Sequence, residues 1–381
     1  VSANTFAGSS FGFDSHFDVF DDVSWTSRFP NGLDVRKYKN EAESDGLQFY
    51  SGFLKRCLRH EKTTQSLANG GLAQLDLLSA KSPFPKLLDD GGKSVLKRAT
   101  AESQRQQEPY FMFLNVMDAH TPHHHIRGYN RSIHQVSSSW TSIDSIDHWN
   151  YNLASDEEFE TDIENFRSLY AAAIDYLDRI VADFVTDLLE QTGRETTIVL
   201  TADHGENLGF DSEDGLLGHT NSLSESLLHV PLEIFNPPEG YADVESEYFS
   251  QLQLGDLIVG MSRNEAPDVF SEMPVAERIT TSAVPESVEN QMFWKRTIRC
   301  AYKNRTKKTI WDSRGQTEEF QLEPEKPCWQ LLVGNTEGTP PQDERYFERD
   351  IRSTHEDLVQ STSSYNVDEA TEARLEELGY L

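Results

Sequence analysis

Residues 196–209 read TTIVLTADHGENLG, and no other stretch narrows the folds open to this chain so far. A β-branched and apolar run of strand length, 196–202, breaks at once into Asp203, His204, Gly205 and Glu206. A short run that does not alternate reads as a strand buried on both faces, as in parallel sheets covered by helices. In open α/β sheets, ligands sit beyond the carboxyl ends of the strands. Asp203 and His204 are therefore expected to project into such a crevice, with Gly205 and Gly209 letting the backbone turn. A carboxylate and an imidazole side by side suit one divalent cation. The same residues also fit a plain strand-end turn, with Asp203 capping and His204 solvated, and the tetrapeptide alone does not separate the two.

A second apolar run, YFMFLNVM at 110–117, ends just as abruptly, in DAHTPHHH. His120 lies three residues past it on a loop stiffened by Pro122, and is expected to face the same crevice as Asp203. His124 and His125 read as a solvated surface tract. Residues 126–155 have no periodicity and are expected to form a long functional loop, a lid. Helical spacing is most sustained over 156–191, through Phe159, Ile163, Phe166, Leu169, Tyr170, Ala173, Leu177, Ile180, Phe184 and Leu188, and Gly193 stops it. This helix feeds 196–202, which predicts a crossover unit on a mainly parallel sheet. His219 follows on a loop, GHTNSL at 218–223, and then come a short helix at 222–228, a strand at 230–235 and a helix at 252–261. Further helical pieces are expected at 72–78 and 92–103.

Beyond residue 276 the texture changes to short alternating runs at 277–284, 297–303, 307–311 and 318–322, which suit an antiparallel sheet. A linker at 334–343 and a terminal helix at 368–381 complete the chain. The expected fold is α/β: a mainly parallel sheet flanked by helices and containing 110–117, 196–202 and 230–235, then a small C-terminal antiparallel sheet plus helix. The corresponding domains are 1–275 and 276–381.

Charge excludes one class of partner. The 381 residues carry a formal net charge of −30, with no basic stripe to follow a phosphate backbone, so nucleic acid is not expected. Such acidity suits a high-salt setting, where screening makes self-repulsion tolerable. Cys57, Cys300 and Cys328 follow no metal or redox spacing and read as buried or incidental. No window is long and apolar enough for a membrane span, and no basic-then-apolar leader is visible, so the expected location is cytoplasmic. Oligomeric state is left open.

The succession MDAHTP, a long helix, TADHGENLG, then GH-x-x-S-L followed by VPL resembles the sulfatase family of the alkaline phosphatase superfamily. The tail segments IRCAYKNRTKKTIW, EEFQLEPE and RLEELGYL resemble that family's small C-terminal subdomain. The opening SANTF and FGFDSHFD resemble the segment just downstream of its nucleophile. What the resemblance implies is hydrolysis of a sulfate ester, small-molecule or glycan. A cysteine-derived formylglycine hydrate attacks sulfur while a divalent cation holds the sulfate oxygens. By position, Asp203 and His204 match two metal ligands, His120 a histidine contacting sulfate or the leaving oxygen, and His219 a residue that binds a sulfate oxygen. The resemblance implies Ca²⁺, although an imidazole ligand also suits Mn²⁺, and Mg²⁺ is open as well.

The family's Cys/Ser-x-Pro-Ser-Arg nucleophile string does not occur: Cys57 stands in RCLRH, Cys300 in RCAYK and Cys328 in PCWQL. That string and an early Asp-Asp metal pair are expected N-terminal to Val1. With two ligands only, weak metal binding and no aryl sulfate turnover are expected of these residues alone. A phosphate or phosphonate ester hydrolase of the same superfamily, and a non-catalytic protein on the same fold, remain the alternatives.

Overall fold

The computed structural model describes residues 1–361 except 24–27, 30, 43–45, 81–83, 108, 155–158, 220, 242–246, 272, 280–283, 285–287 and 339. They form two compact units, Val1–Asp147 with Phe159–Arg194 and His148–Glu158 with Glu195–Tyr365. The terminal helix expected at 368–381 lies outside the described residues.

Helices α1 (Val35–Glu41), α2 (Gly46–Arg59), α3 (Thr63–Ala80), α4 (Gly92–Arg105) and α5 (Ser142–Ser145) belong to the first unit; α6 (His148–Ala154) belongs to the second. The first unit is centred on α7 (Glu160–Thr192), which buries Ile163, Phe166, Leu169, Ala173, Ile180, Phe184 and Leu188 of the stripe its spacing predicts; Tyr170 and Leu177 are half-buried, and Tyr176 is buried as well. It stops at Gly193, which takes a left-handed φ of 59° that costs a glycine nothing. Helix α4 packs against α7 through its buried face of Val95, Leu96 and Ala99. Its first turn has no cap from Gly91. Instead the Asp118 carboxylate, 1 % exposed, accepts from the Gly92 N–H at 2.8 Å and the Asp90 N–H at 3.2 Å. Burial and the neighbouring Asp89 and Asp90 push Asp118 up to about 8, against the pull of those two N–H groups.

Residues 110–117, expected as a strand, are extended but form no ladder. Their pairing is one parallel bridge, Asn115 with Ser2, and Ser2 bridges Asp22 in the same sense. The histidine tract also departs from expectation. His123 and His125 are buried, His125 to 4 % exposure, and burial together with Lys86 holds the His124 pKa down to about 4. His123 lies edge-on to Phe166 and Tyr170, while His125 packs on His134 and meets the Ser138 hydroxyl at 2.9 Å. The cause is the expected lid itself. Residues 126–146 fold back and bury Ile126, Tyr129, Val136 and Ile146, so the tract is covered rather than solvated.

In the second unit β1 (Ile198–Thr201) is followed by β2 (Asn207–Leu208), β3 (Leu217–Gly218), α8 (Glu225–Leu228) and β4 (Leu232–Phe235). Strands β1 and β4 pair antiparallel, with Thr201 opposite Leu232 and Ile198 opposite Phe235. The expected mainly parallel sheet is not seen: every named ladder among the described residues is antiparallel, and parallel pairing is confined to the isolated bridges Ser2–Asp22, Ser2–Asn115 and Lys86–Ile126. The chain leaves β1 at Thr201 and re-enters β4 beside that same end. A parallel neighbour would need a crossover back to the start of β1; the chain instead turns through the β2–β3 ribbon and α8 and comes back at the same end. Strands β5 (Tyr248–Phe249) and β6 (Phe270–Ser271) flank α9 (Leu254–Ser262), which packs on Val199, Leu232 and Ile234 through Leu257 and Met261.

Then come β7 (Val275–Arg278), α10 (Gln291–Trp294), β8 (Ile298–Asn304), β9 (Lys307–Asp312), β10 (Gln316–Leu322), β11 (Gln330–Glu337) and α11 (Ile351–Ser361). The five strands form one antiparallel sheet in the order β11-β10-β9-β8-β7, the C-terminal sheet that alternation predicts. One face packs Ile298, Cys300, Tyr302, Phe320 and Leu322 with Leu223, and the other packs Ala301 and Trp311 with Ile351. Part of the expected linker at 334–343 is taken up by β11.

Candidate functional site

Past β1 the backbone of 202–206 runs against α8. The Gly205 N–H donates to the Leu227 carbonyl at 2.9 Å, and a Cβ on Gly205 would lie 2.0 Å from the Ser226 carbonyl oxygen. Only glycine fits there. His204 and Glu206, two residues apart on extended chain, therefore share one side. The β2–β3 ribbon pairs Asn207 with Gly218, which sets Glu206 opposite His219.

Several buried groups fix that ribbon. Glu213, 2 % exposed, accepts from the Leu208 and Phe210 N–H groups at 2.6 and 3.0 Å and from the Ser226 hydroxyl. On α6, the Asn152 amide donates to the Leu217 carbonyl at 3.1 Å and accepts from the Leu217 N–H at 2.8 Å, standing in for one more strand residue. The Lys308 ammonium on β9 donates to the Leu223 carbonyl at 2.9 Å, Glu225 at 2.7 Å and Gln330 at 2.8 Å.

Three metal-ligating side chains meet on this support. The ligand atoms of His204, Glu206 and His219 lie within 4.8 Å of one another. The two imidazole rings are 4.6 Å apart at 36°, and Glu206 Oε2 lies 3.1 Å from His219 Nδ1. His204 Nδ1 lies 2.8 Å from the Gly205 carbonyl, which can only accept, so Nδ1 carries the hydrogen and Nε2 holds the lone pair. The Glu206 carboxylate likewise accepts from His219 Nδ1 and leaves Nε2 as that ring's ligand atom. Burial disfavours the His219 imidazolium, but the hydrogen bond and charge of Glu206, helped by Asp203 and opposed by Arg278, raise its pKa overall. Two imidazoles and one carboxylate make a donor set that fits a transition-type divalent ion such as Mn²⁺ or Zn²⁺ better than Ca²⁺, which favours oxygen alone.

Of the residues expected from sequence, His204 and His219 come together here. Asp203 is adjacent and exposed, its Oδ1 accepting from the His204 N–H at 3.1 Å. His120 lies in the first unit, where its Nδ1 donates to the Thr121 carbonyl at 2.6 Å. Glu206 is the residue that the motif reading passed over. Its two-residue spacing from His204 past a strand was the available signal.

A family model described as Sulfatase matches residues 37–261. No curated protein and no solved structure matches the chain.

Proposed function

The chain belongs to the sulfatase family, whose model covers more than half of it, and we propose that it is a metal-dependent hydrolase of sulfate esters, small-molecule or glycan. The observation that carries the metal half of this reading is the convergence of His204, Glu206 and His219 beyond β1. These three, with the exposed Asp203 carboxylate as a fourth donor, would hold the divalent ion. Bound there, the ion supplies charge neutralisation for sulfonyl oxygens. By resemblance His120 contacts the sulfate or the leaving oxygen; with its Nδ1 hydrogen held by the Thr121 carbonyl, its imidazolium form would give the Nε2 proton to the departing alkoxide, which leaves as the alcohol. By resemblance His219 contacts a sulfate oxygen; its hydrogen bond to Glu206 orients Nε2 for that role as well as for the ion. We keep the division of labour at 1–275 for the hydrolase core and 276–381 for the C-terminal subdomain.

No Cys/Ser-x-Pro-Ser-Arg string occurs within the 381 residues, so binding rather than turnover is the test they can answer. Calorimetric titration with Mn²⁺ should give one site, weakened roughly tenfold or more in His204→Ala and in Glu206→Gln. His219→Ala should weaken binding likewise, and retained affinity would remove His219 from the ligand set. Unchanged affinity in His204→Ala contradicts the metal reading.

A further inference from the structure

The C-terminal sheet brings a cation to this loop. Arg278 on β7 stands opposite Ile298 on β8, and directly opposed residues of an antiparallel pair point to one face. On that face Ile298 packs with Leu223, four residues beyond His219. Two residues before Ile298, Arg296 donates to the Asn221 carbonyl at 3.4 Å and is paired with Asp312 at 3.3 Å. Arg278 has no such carboxylate among the described residues. Its Nη1 is enclosed without an acceptor, and the buried side-chain amide of Asn221 is unpartnered at both its nitrogen and its oxygen. Burial and the charge of Arg296 hold the guanidinium down to about 10, and its own charge opposes protonation of His219.

An enclosed guanidinium nitrogen without an acceptor is costly, and a divalent ion at His204, Glu206 and His219 would add a like charge nearby. One tetrahedral oxyanion relieves both, because a guanidinium presents paired donors that match such an anion. We propose that Arg278, which lies outside the segment matching the family, is an oxyanion-binding residue of this site and holds the sulfate group of the ester alongside the metal ion. The proposal rests on the sulfatase reading.

The test is calorimetric titration of inorganic sulfate, and separately of inorganic phosphate, into the Mn²⁺-loaded chain, for wild type, Arg278→Gln and Arg278→Lys. Losing one charge-assisted contact should weaken sulfate binding roughly 10- to 100-fold in Arg278→Gln. Arg278→Lys should recover part of that, since it keeps the charge without the fork. Mn²⁺ affinity should be unchanged or tighter in Arg278→Gln, which shows that the site is still folded. Sulfate bound equally by wild type and Arg278→Gln overturns the role of Arg278 and leaves the sulfatase reading standing. Arg278-dependent binding that prefers phosphate over sulfate keeps Arg278 and overturns the sulfatase reading. A wild-type chain that binds neither anion overturns the proposal.

Discussion

Asp118 shows how one side chain can serve structure while working against its own charge. Its carboxylate receives the first N–H of α4 yet is enclosed with Asp89 and Asp90 nearby, so its pKa rises from 3.8 to about 8. The sign follows from linkage. Between those two values the folded chain keeps a proton that the unfolded chain has lost, so stability falls as pH rises through that window. Asp118→Asn cannot ionise, and urea unfolding should show wild type losing stability relative to this variant between about pH 5 and about pH 8. Parallel stability curves would refute the assignment. Legibility from sequence was uneven at this scale. His204 announces itself beside a glycine after an apolar run, and His219 on a glycine-punctuated loop. Glu206 does not, because its value depends on the β2–β3 register that sets it opposite His219. The burial of His125 is not legible locally, because its cover comes from residues such as His134 and Ser138, on a stretch with no periodicity of its own.

Among the elements, those whose sequence pattern reports their own surroundings were legible. The stripe of α7 names its buried face, and the short runs of β8, β9 and β10 mark an antiparallel sheet, although packing on both sides buries β8 and β9 on both faces. Strand direction was not legible, since an apolar run such as 198–201 is the same whether its neighbour runs parallel or antiparallel. A short helix between the two runs was legible; that β4 pairs directly with β1 was not, and the pairing sets the direction. The join between α8 and the C-terminal sheet rests on Lys308, buried with Glu225 and sharing it with the Tyr302 hydroxyl at 2.6 Å. Removing one partner of a buried pair leaves the other uncompensated. Lys308→Met should therefore cost about 3–5 kcal/mol in chemical denaturation, while the double variant Lys308→Met with Glu225→Gln should recover part of that loss. A loss under about 1 kcal/mol would mean that the pair is solvated like a surface bridge.

For the whole molecule the dominant quantity is charge. A net charge of −30 repels itself at low salt, and we propose that the chain is built for high salt. Raising KCl from about 0.1 M to about 1 M cuts the screening length from ~10 Å to ~3 Å, so the unfolding temperature should climb steadily over that range. A flat response would remove the high-salt reading. In the proposed function His204, Glu206 and His219 would hold a divalent ion in this sulfatase-family chain. Anomalous diffraction at the manganese edge, from crystals grown with Mn²⁺, tests it most directly. The predicted result is a peak about 2.0–2.4 Å from His204 Nε2 and from a Glu206 carboxylate oxygen. A map with no peak there, or with the ion held by other residues, would contradict it.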